Sequence, residues 1–271
     1  MPELPEVETS RRGITPHILK QAVNQVIIRQ KQLRWTVPSS ICKILPSQII
    51  QQVDRRGKYI LLKTQAGTLI LHLGMSGSLR ILPHDSPAEK HDHFDILFDN
   101  GKLLRLRDPR RFGAVLWTAK DPLQHKLLEN LGPEPLSNAF DTDYLYSKSR
   151  NRKVAIKTFI MNSHIVVGVG NIYASESLFL AGIHPGRSAH NISRQRYQRL
   201  VDSIKHILQQ AIQQGGTTLR DFTHENGKPG YFQQTLSVYG KTSQPCLRCG
   251  TLIKQITQAQ RSSYYCPHCQ K

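Results

Sequence analysis

Cys246-x2-Cys249 and Cys266-x2-Cys269, sixteen residues apart, offer thiolates at the spacing of a four-cysteine zinc site. Each CxxC presents two sulfurs to a tetrahedral ion, and the intervening segment is long enough for a hairpin that joins the pairs. A redox role accounts for one CxxC and leaves the other idle, and disulfides are not expected in a reducing compartment. Residues 236–271 are too few to bury a core, so one structural zinc ion is expected to supply most of this module's folding energy. Zinc with four thiolates carries about two negative charges in sum. Lys241, Arg248, Lys254, Arg261 and Lys271 more than offset them, and residues 241–271 hold no acid. The remaining cysteine, Cys42, reads as a small buried hydrophobe.

Charge indicates the partner. Lys and Arg number 37 against 19 Asp and Glu, a net charge of +18. Folding rarely needs such an excess, which attracts polyanions: nucleic acid first, an acidic membrane surface second. A second acid-free stretch, 144–175, carries Lys148, Arg150, Arg152, Lys153 and Lys157. Either stretch alone reads as solvated surface; two in different modules favour a phosphate-binding face. Within 144–175, Gly168-Val169-Gly170-Asn171 precedes a helical segment. Glycines there let backbone amides approach an anion, and Asn171 suits a helix cap that also touches a phosphate. An ordinary tight turn is the simpler reading of the same residues. No apolar run is long enough to span a membrane. The start, with Glu3, Glu6, Glu8, Arg11 and Arg12, is not a secretory signal. A cytoplasmic protein that avoids membranes is expected.

The elements that position these groups follow from periodicity. Residues 2–12 suit a helix, with Pro5 in its first turn and Gly13 as its stop. Short strand-like runs follow at 24–29, 58–63, 68–73, 78–82, 94–98, 102–107 and 113–118, with Asp99-Asn100-Gly101 as a hairpin turn. Their spacing suggests a β-sandwich. After about residue 120 the period changes. Helices are predicted at 122–131, 152–162, 171–181 and 193–214, the middle two around the loop 163–170. The expected fold is α+β: a β-sandwich with flanking helix over 1–120, a helical module over 121–235, and the finger over 236–271.

The start, Met1-Pro2-Glu3-Leu4-Pro5-Glu6-Val7-Glu8-Thr9, closely resembles the formamidopyrimidine-DNA glycosylases of bacteria. The resemblance spans the chain through Arg56-Gly57-Lys58-Tyr59, Leu71-His72-Leu73-Gly74-Met75-Ser76-Gly77 and Asp108-Pro109-Arg110-Arg111-Phe112-Gly113. It continues through Gly168-Val169-Gly170-Asn171-Ile172-Tyr173-Ala174 and Gly215-Gly216-Thr217-Thr218, and closes on Gln260-Arg261 with the four cysteines. It implies that the helical module is a helix-two-turn-helix domain and that the last module is a β-hairpin finger. Two departures stand out: Asn162 where such sequences commonly have Asp, and Arg220 where a close relative has Lys.

The resemblance implies a monomeric base-excision repair enzyme for oxidised purines in double-stranded DNA, associated with the bacterial nucleoid when bound. Removal of Met1 would expose Pro2 as a secondary amine. An α-amino group titrates at about 8 against about 10.4 for lysine, so more of it is free base at neutral pH. By resemblance Pro2 attacks C1′, expels the base and forms an iminium, which acidifies the C2′ proton and allows elimination on both sides of the sugar. Glu3 fits the acid that protonates the opening sugar. Lys58 fits a phosphate-anchored proton donor, and Arg261 a phosphate clamp for the eliminations. The base must leave the stack, and Met75, Arg110 and Phe112 are implied to fill the gap. His91, Arg110 and Arg152 are implied DNA contacts, with Asn171 on the helix pair. A loop at 217–231 is implied to cover the extruded base. Taken singly, each of these charges reads as surface, and Met75 and Phe112 as core.

Two other readings compete. A sister endonuclease VIII-type glycosylase for oxidised pyrimidines shares Pro2, Glu3, the helix pair and the finger. The Leu-Pro-Glu-Val-Glu-Thr start and Asp-Pro-Arg-Arg-Phe-Gly favour the purine enzyme. A non-catalytic zinc-finger DNA-binding protein fits the composition, but not the Pro2-Glu3 start.

Overall fold

A computed structural model of the protein describes residues 2–215 and 236–271. Met1, Arg220 and the base-covering loop expected at 217–231 lie outside the described residues. The chain divides into two compact units, the first formed by residues up to Asn130, the second by Leu131–Gln214 together with the C-terminal residues.

In the first unit, alternating apolar residues build two antiparallel four-stranded sheets. One orders β1 (Val23–Ile28), β6 (Asp92–Phe98), β7 (Lys102–Arg107) and β5 (Ser78–Pro83). The other orders β2 (Gln52–Arg56), β3 (Tyr59–Lys63), β4 (Thr68–His72) and β8 (Ala114–Thr118). Ile60, Leu62, Leu69 and Leu71 of the second sheet share a core with Phe94, Ile96, Leu104 and Leu106 of the first. This is the expected sandwich, and Asp99-Asn100-Gly101 joins β6 to β7 with Gly101 at φ 75°. β2 was not anticipated: in Gln52–Arg56 only Val53 is apolar and buried, too little for a strand pattern. A short helix α2, Ile41–Ile44, was also missed.

Helix α1, Leu4–Ile18, runs past the expected stop at Gly13 and contains Pro16. Its buried face continues through Ile14 and Ile18, and that packing outweighs the glycine's entropy cost and the donor that Pro16 lacks. The helix packs against β2 and β5, an edge strand of each sheet, and so covers one open side of the sandwich. Glu8 locks it in place by accepting from Arg11, Arg12 and Arg55.

In the second unit, α3 (Thr142–Ser149), α4 (Ile156–Ile160), α5 (Asn171–Ala181) and α6 (Arg194–Gln213) pack around Phe140, Leu145, Tyr173, Tyr197 and Leu208. The helix expected at 122–131 is only a short 3-10 turn, Pro122–Gln124, capped by the Asp121 carboxylate. Leu128 is its one buried apolar residue, so no helical face exists to bury. α4 is also shorter than the expected 152–162. α3 was missed; Asp141 caps it by accepting from Tyr144 N–H at 2.8 Å. The finger is a hairpin of β9 (Lys254–Gln258) and β10 (Arg261–Tyr265). Phe179 of α5 packs with Val238, Ile253 and Cys266, joining the finger to the helices. No helix among the described residues is long and apolar enough to cross a membrane.

Candidate nucleic-acid interface

The first unit places Pro2 immediately before α1, half-buried, with Glu3 at the helix N-cap and only 2% exposed. Glu6 reaches back to accept from Glu3 N–H at 2.8 Å, which fixes the backbone beside Pro2. Pro2 and a nearly dry carboxyl thus stand next to each other in the chain.

Lys58 lies in the two-residue turn between β2 and β3, half-buried, after Gly57 at φ 57°. A primed hairpin turn asks for that conformation, and glycine adopts it without strain. Next to it, His72 ends β4 opposite Tyr59, with ring centroids 4.7 Å apart. Burial, reinforced by the Lys58 and Arg34 charges, lowers the His72 pKa to about 4. Its Nδ1 accepts from Gly74 N–H at 3.0 Å, so the proton of the neutral ring sits on Nε2. Lys58 and His72 therefore form a positively charged, donor-rich corner.

Beyond His72, two loops are tied together by Asp108, which is completely buried. Ser76 Oγ donates to Asp108 Oδ1 at 2.8 Å, and Gly113 N–H donates to Oδ2 at 2.7 Å. Arg110 N–H points to the same carboxylate at 3.3 Å and to Ser76 Oγ at 3.2 Å. Gly74, at φ 63°, lies so close to the Phe112 backbone that a Cβ would overlap it. The result is one rigid double loop bearing exposed Met75 (38%), exposed Phe112 (44%) and Arg110, whose guanidinium sits 4.9 Å from the Phe112 ring centroid. His91 joins the group through its backbone: its carbonyl accepts from Asp108 N–H at 3.0 Å. The segment before it is pinned by buried Arg105, which donates to the Ser86 and Pro87 carbonyls and to Asp95. Met75, His91, Arg110 and Phe112 are thus assembled by a residue, Asp108, that sequence reasoning quoted only as part of a motif.

In the second unit, Arg152 precedes α4 and Arg261 opens β10; both are exposed and line one cavity. Lys157 of α4, 1% exposed, fixes the hairpin against the helix by donating to Ser262 O at 2.7 Å and Ser263 Oγ at 2.8 Å. Asn171 is the first residue of α5 rather than its cap, a place taken by Gly170. Its side chain donates to Tyr239 Oη at 3.4 Å, and the Tyr239 ring meets Tyr264 of β10 at 4.9 Å. Tyr239 is positioned in turn by Glu176, a buried carboxylate that accepts from the N–H groups of Ser237, Val238 and Tyr239. Arg152 and Arg261 line one cavity, and Asn171 is linked through Tyr239 to Tyr264 of the same hairpin. Lys157, expected in a phosphate-facing basic stretch, is buried instead, and it and Glu176 act as positioning residues, a role that the sequence reading missed. Their signal was only a lysine and a glutamate inside apolar helical stretches.

The four cysteine sulfurs lie within 4.8 Å of one another. Cys246 Sγ and Cys269 Sγ are 4.0 Å apart, and Cys249 Sγ and Cys266 Sγ 3.5 Å. A tetrahedron of sulfurs at about 2.3 Å from zinc has edges of roughly 3.8 Å, so the cluster fits one structural zinc ion. Arg248 and Cys269 N–H groups donate to Cys246 Sγ and Cys266 Sγ, as suits thiolates. Cys42 corrects an expectation: it is exposed, not buried.

Comparison with known proteins agrees along the whole chain. Residues 1–115 match the formamidopyrimidine-DNA glycosylase N-terminal domain, 131–223 the H2TH domain of the same proteins, and 243–271 a zinc finger found in FPG and IleRS. The formamidopyrimidine-DNA glycosylase of Stenotrophomonas maltophilia (strain K279a) is 56% identical over 271 residues, covering all of both chains. The crystal structure of a Lactococcus lactis FPG mutant in complex with Fapy-dG-containing DNA superposes with TM-score 0.92 at 37% identity, covering 100% of each chain. A structure of MutM in complex with carbocyclic 8-oxo-G-containing DNA gives TM-score 0.91 at 38% identity, again over 100% of each chain.

Proposed function

The chain belongs to the formamidopyrimidine-DNA glycosylase family, and from that premise we propose how its residues do the work. It is a bifunctional DNA glycosylase and AP lyase for 8-oxoguanine and formamidopyrimidine lesions in DNA.

Pro2, freed of Met1, is the nucleophile. Its nitrogen bonds to C1′ as the bond to the base breaks, and the base leaves with a proton. Glu3, held dry at the helix start, donates a proton to the opening sugar ring. The iminium so formed acidifies C2′; loss of that proton breaks the C3′–O bond, and a second elimination breaks the C5′–O bond. Phosphates remain on both strand ends. Lys58 and Arg261 hold phosphates beside these steps, and Lys58 supplies a proton to the leaving base. Met75, Arg110 and Phe112 enter the duplex where the base has left, and His91, Arg152 and Asn171 hold the backbone. Double-stranded DNA carrying oxidised bases is the partner, and a monomer in the bacterial cytoplasm carries out the reaction.

The observation that carries the reading is the Asp108-tied double loop. It exposes a thioether and a phenyl ring beside an arginine, which water does not favour and a base stack does. The test is borohydride trapping on an 8-oxoguanine duplex, with peptide mapping of the adduct. Attachment at the N-terminal peptide is expected, with no trapping by protein that retains Met1. Attachment at Lys58 would overturn the assignment. A thymine glycol duplex in the same assay separates this enzyme from the pyrimidine-specific relatives and should be the poorer substrate.

A further inference from the structure

Two leucines of the finger are the most exposed large apolar side chains among the described residues, Leu247 at 73% and Leu252 at 56%. A single exposed leucine needs no explanation, but this pair sits on a module with few apolar residues to spare. The leucines and isoleucines of residues 241–271 are Leu247, Leu252, Ile253 and Ile256. Ile253 is buried and Ile256 half-buried, whereas both leucines face solvent. Local geometry holds them there. Pro245 and Leu252 are antiparallel bridge partners, and the bonds joining their segments flank the pair: Cys246 N–H donates to Thr251 O and Ile253 N–H to Gln244 O, both at 2.9 Å. Such a pair brings its side chains close and turns the Leu252 N–H and carbonyl away from Pro245. Neither Leu252 group makes a hydrogen bond among the described residues. Leu247 follows Cys246 in a tight turn closed by Gly250 N–H donating to Cys246 O. Its neighbour Arg248 folds onto α5, its guanidinium 4.5 Å from the Phe179 ring centroid, and leaves Leu247 uncovered.

This knuckle stands at the opposite end of the hairpin from Arg261. The pairing of β9 with β10 begins at Lys254 with Tyr265 and ends at Gln258 with Arg261, a run of about 13 Å at roughly 3.3 Å per residue. Phosphate held at Arg261 therefore leaves the leucines clear. Lys241 and Lys254 flank them in sequence and form no ion pair among the described residues, and residues 241–271 contain no acid. With Arg248 these cations exceed the roughly two negative charges of a zinc ion with four thiolates. The occupant that fits is thus apolar in part, acidic in part, and able to pair with a free backbone edge. Phosphodiester strands offer leucine nothing. A lipid surface would cover the Leu252 N–H and carbonyl without pairing them, which is costly. A second copy of the chain would set cations against cations.

We propose that the Pro245–Leu252 knuckle docks an extended, acidic peptide segment of a partner protein. The peptide backbone pairs with the Leu252 N–H and carbonyl, its apolar side chains cover Leu247 and Leu252, and its carboxylates face Lys241 and Lys254. Docking is compatible with DNA held at the Arg261 end, so the partner reaches the protein while it sits on the duplex.

The test selects displayed random peptides on the full-length, zinc-loaded protein bound to an abasic-analogue duplex, so that the DNA-facing cations are already occupied. The peptides recovered should combine Asp or Glu with apolar residues. Synthetic copies should bind the DNA-bound protein in fluorescence anisotropy. Leu247→Ser combined with Leu252→Ser should weaken that binding by about tenfold or more, the scale of losing a buried leucine contact. Zinc content and single-turnover excision of 8-oxoguanine should stay unchanged, because both side chains are exposed and distant from Arg261. Lys254→Glu, which alters charge alone, should weaken the same peptides and restore binding to copies carrying Lys for Asp. Recovery of no acidic peptide, or of peptides that bind both variants as well as the unmodified protein, overturns the proposal. So does leucine-dependent binding of the DNA-bound protein to phosphatidylglycerol vesicles but not to the peptides, which would assign the knuckle to a membrane. Leucine-dependent dimers in sedimentation velocity would assign it to a second copy and overturn the proposal equally.

Discussion

Ser76 Oγ donates a 2.8 Å hydrogen bond to the buried carboxylate of Asp108, and through it two loops distant in sequence become one body. Asp108 also takes the Gly113 and Arg110 N–H groups, so its two oxygens fix both the entry and the exit of the Arg110–Phe112 turn. A wedge that enters DNA must resist being pushed back, and the buried carboxylate supplies that stiffness.

Asp108→Asn turns one of these accepting oxygens into an amide donor facing another donor. A buried mismatch of this kind costs about 1–3 kcal/mol. Excision from duplex should slow by roughly tenfold or more, since each 1.4 kcal/mol is a factor of ten. Zinc content should not change, because the finger lies in the other unit. Unaltered single-turnover excision would show that the loop pair keeps its shape without Asp108.

Phe112→Ala removes the exposed ring and leaves the Asp108 bonds intact. It should slow excision of 8-oxoguanine from duplex more than cleavage at a preformed abasic site, because only the first requires a stacked base to be extruded. Equal slowing on both substrates would count against the wedge role.

The sandwich, the helix pair and the zinc ligands were legible because each has a period or a spacing. Ile60, Leu62, Leu69 and Leu71 mark their strands, and two CxxC pairs mark their ion. What was illegible depends on long-range pairing of single polar groups. Nothing near Asp108 in sequence says that Ser76 will meet it, and nothing near Glu176 says that it will receive three N–H groups sixty residues on. The helix stop at Gly13 failed for a related reason: a local rule lost to packing of Ile14 and Ile18 against the rest of the unit.

Stability should fall with acid in two windows. His72 is lowered to about 4 by burial and by Lys58 and Arg34, so the folded protein resists protonating it. The unfolded chain protonates it below its ordinary 6.5, so this stabilisation is full above 6.5 and lost as pH falls toward 4. Burial alone would raise the Glu8 carboxyl, yet hydrogen bonds from Arg11, Arg12 and Arg55 hold it at about 2. Its contribution is present above the ordinary 4.5 and is lost as pH falls toward 2. Melting temperature measured against pH should show both declines. His72→Asn should flatten the first and Glu8→Gln the second; a first decline that survives His72→Asn would exclude that histidine as its source.

Zinc removal should weaken DNA binding without unfolding the helical domain. The finger's own cluster is small, comprising Phe179, Val238, Cys246, Ile253 and Cys266, so its hairpin depends on the ion. Arg261 stands at the start of β10, and the hydrogen bonds from Lys157 to Ser262 and Ser263 hold it only while that strand is paired. The helices have a separate core around Tyr173, Tyr197 and Leu208, which needs no metal. Cys249→Ser, or a strong chelator, should therefore release the ion and lower affinity for lesion duplex by roughly tenfold or more, with the loss greatest at low salt where phosphate contacts count most. Far-ultraviolet circular dichroism should keep its helical signal. If zinc is lost and affinity is unchanged, the finger does not contribute Arg261 to the interface; if the helical signal collapses as well, the metal stabilises the whole second unit and not the hairpin alone.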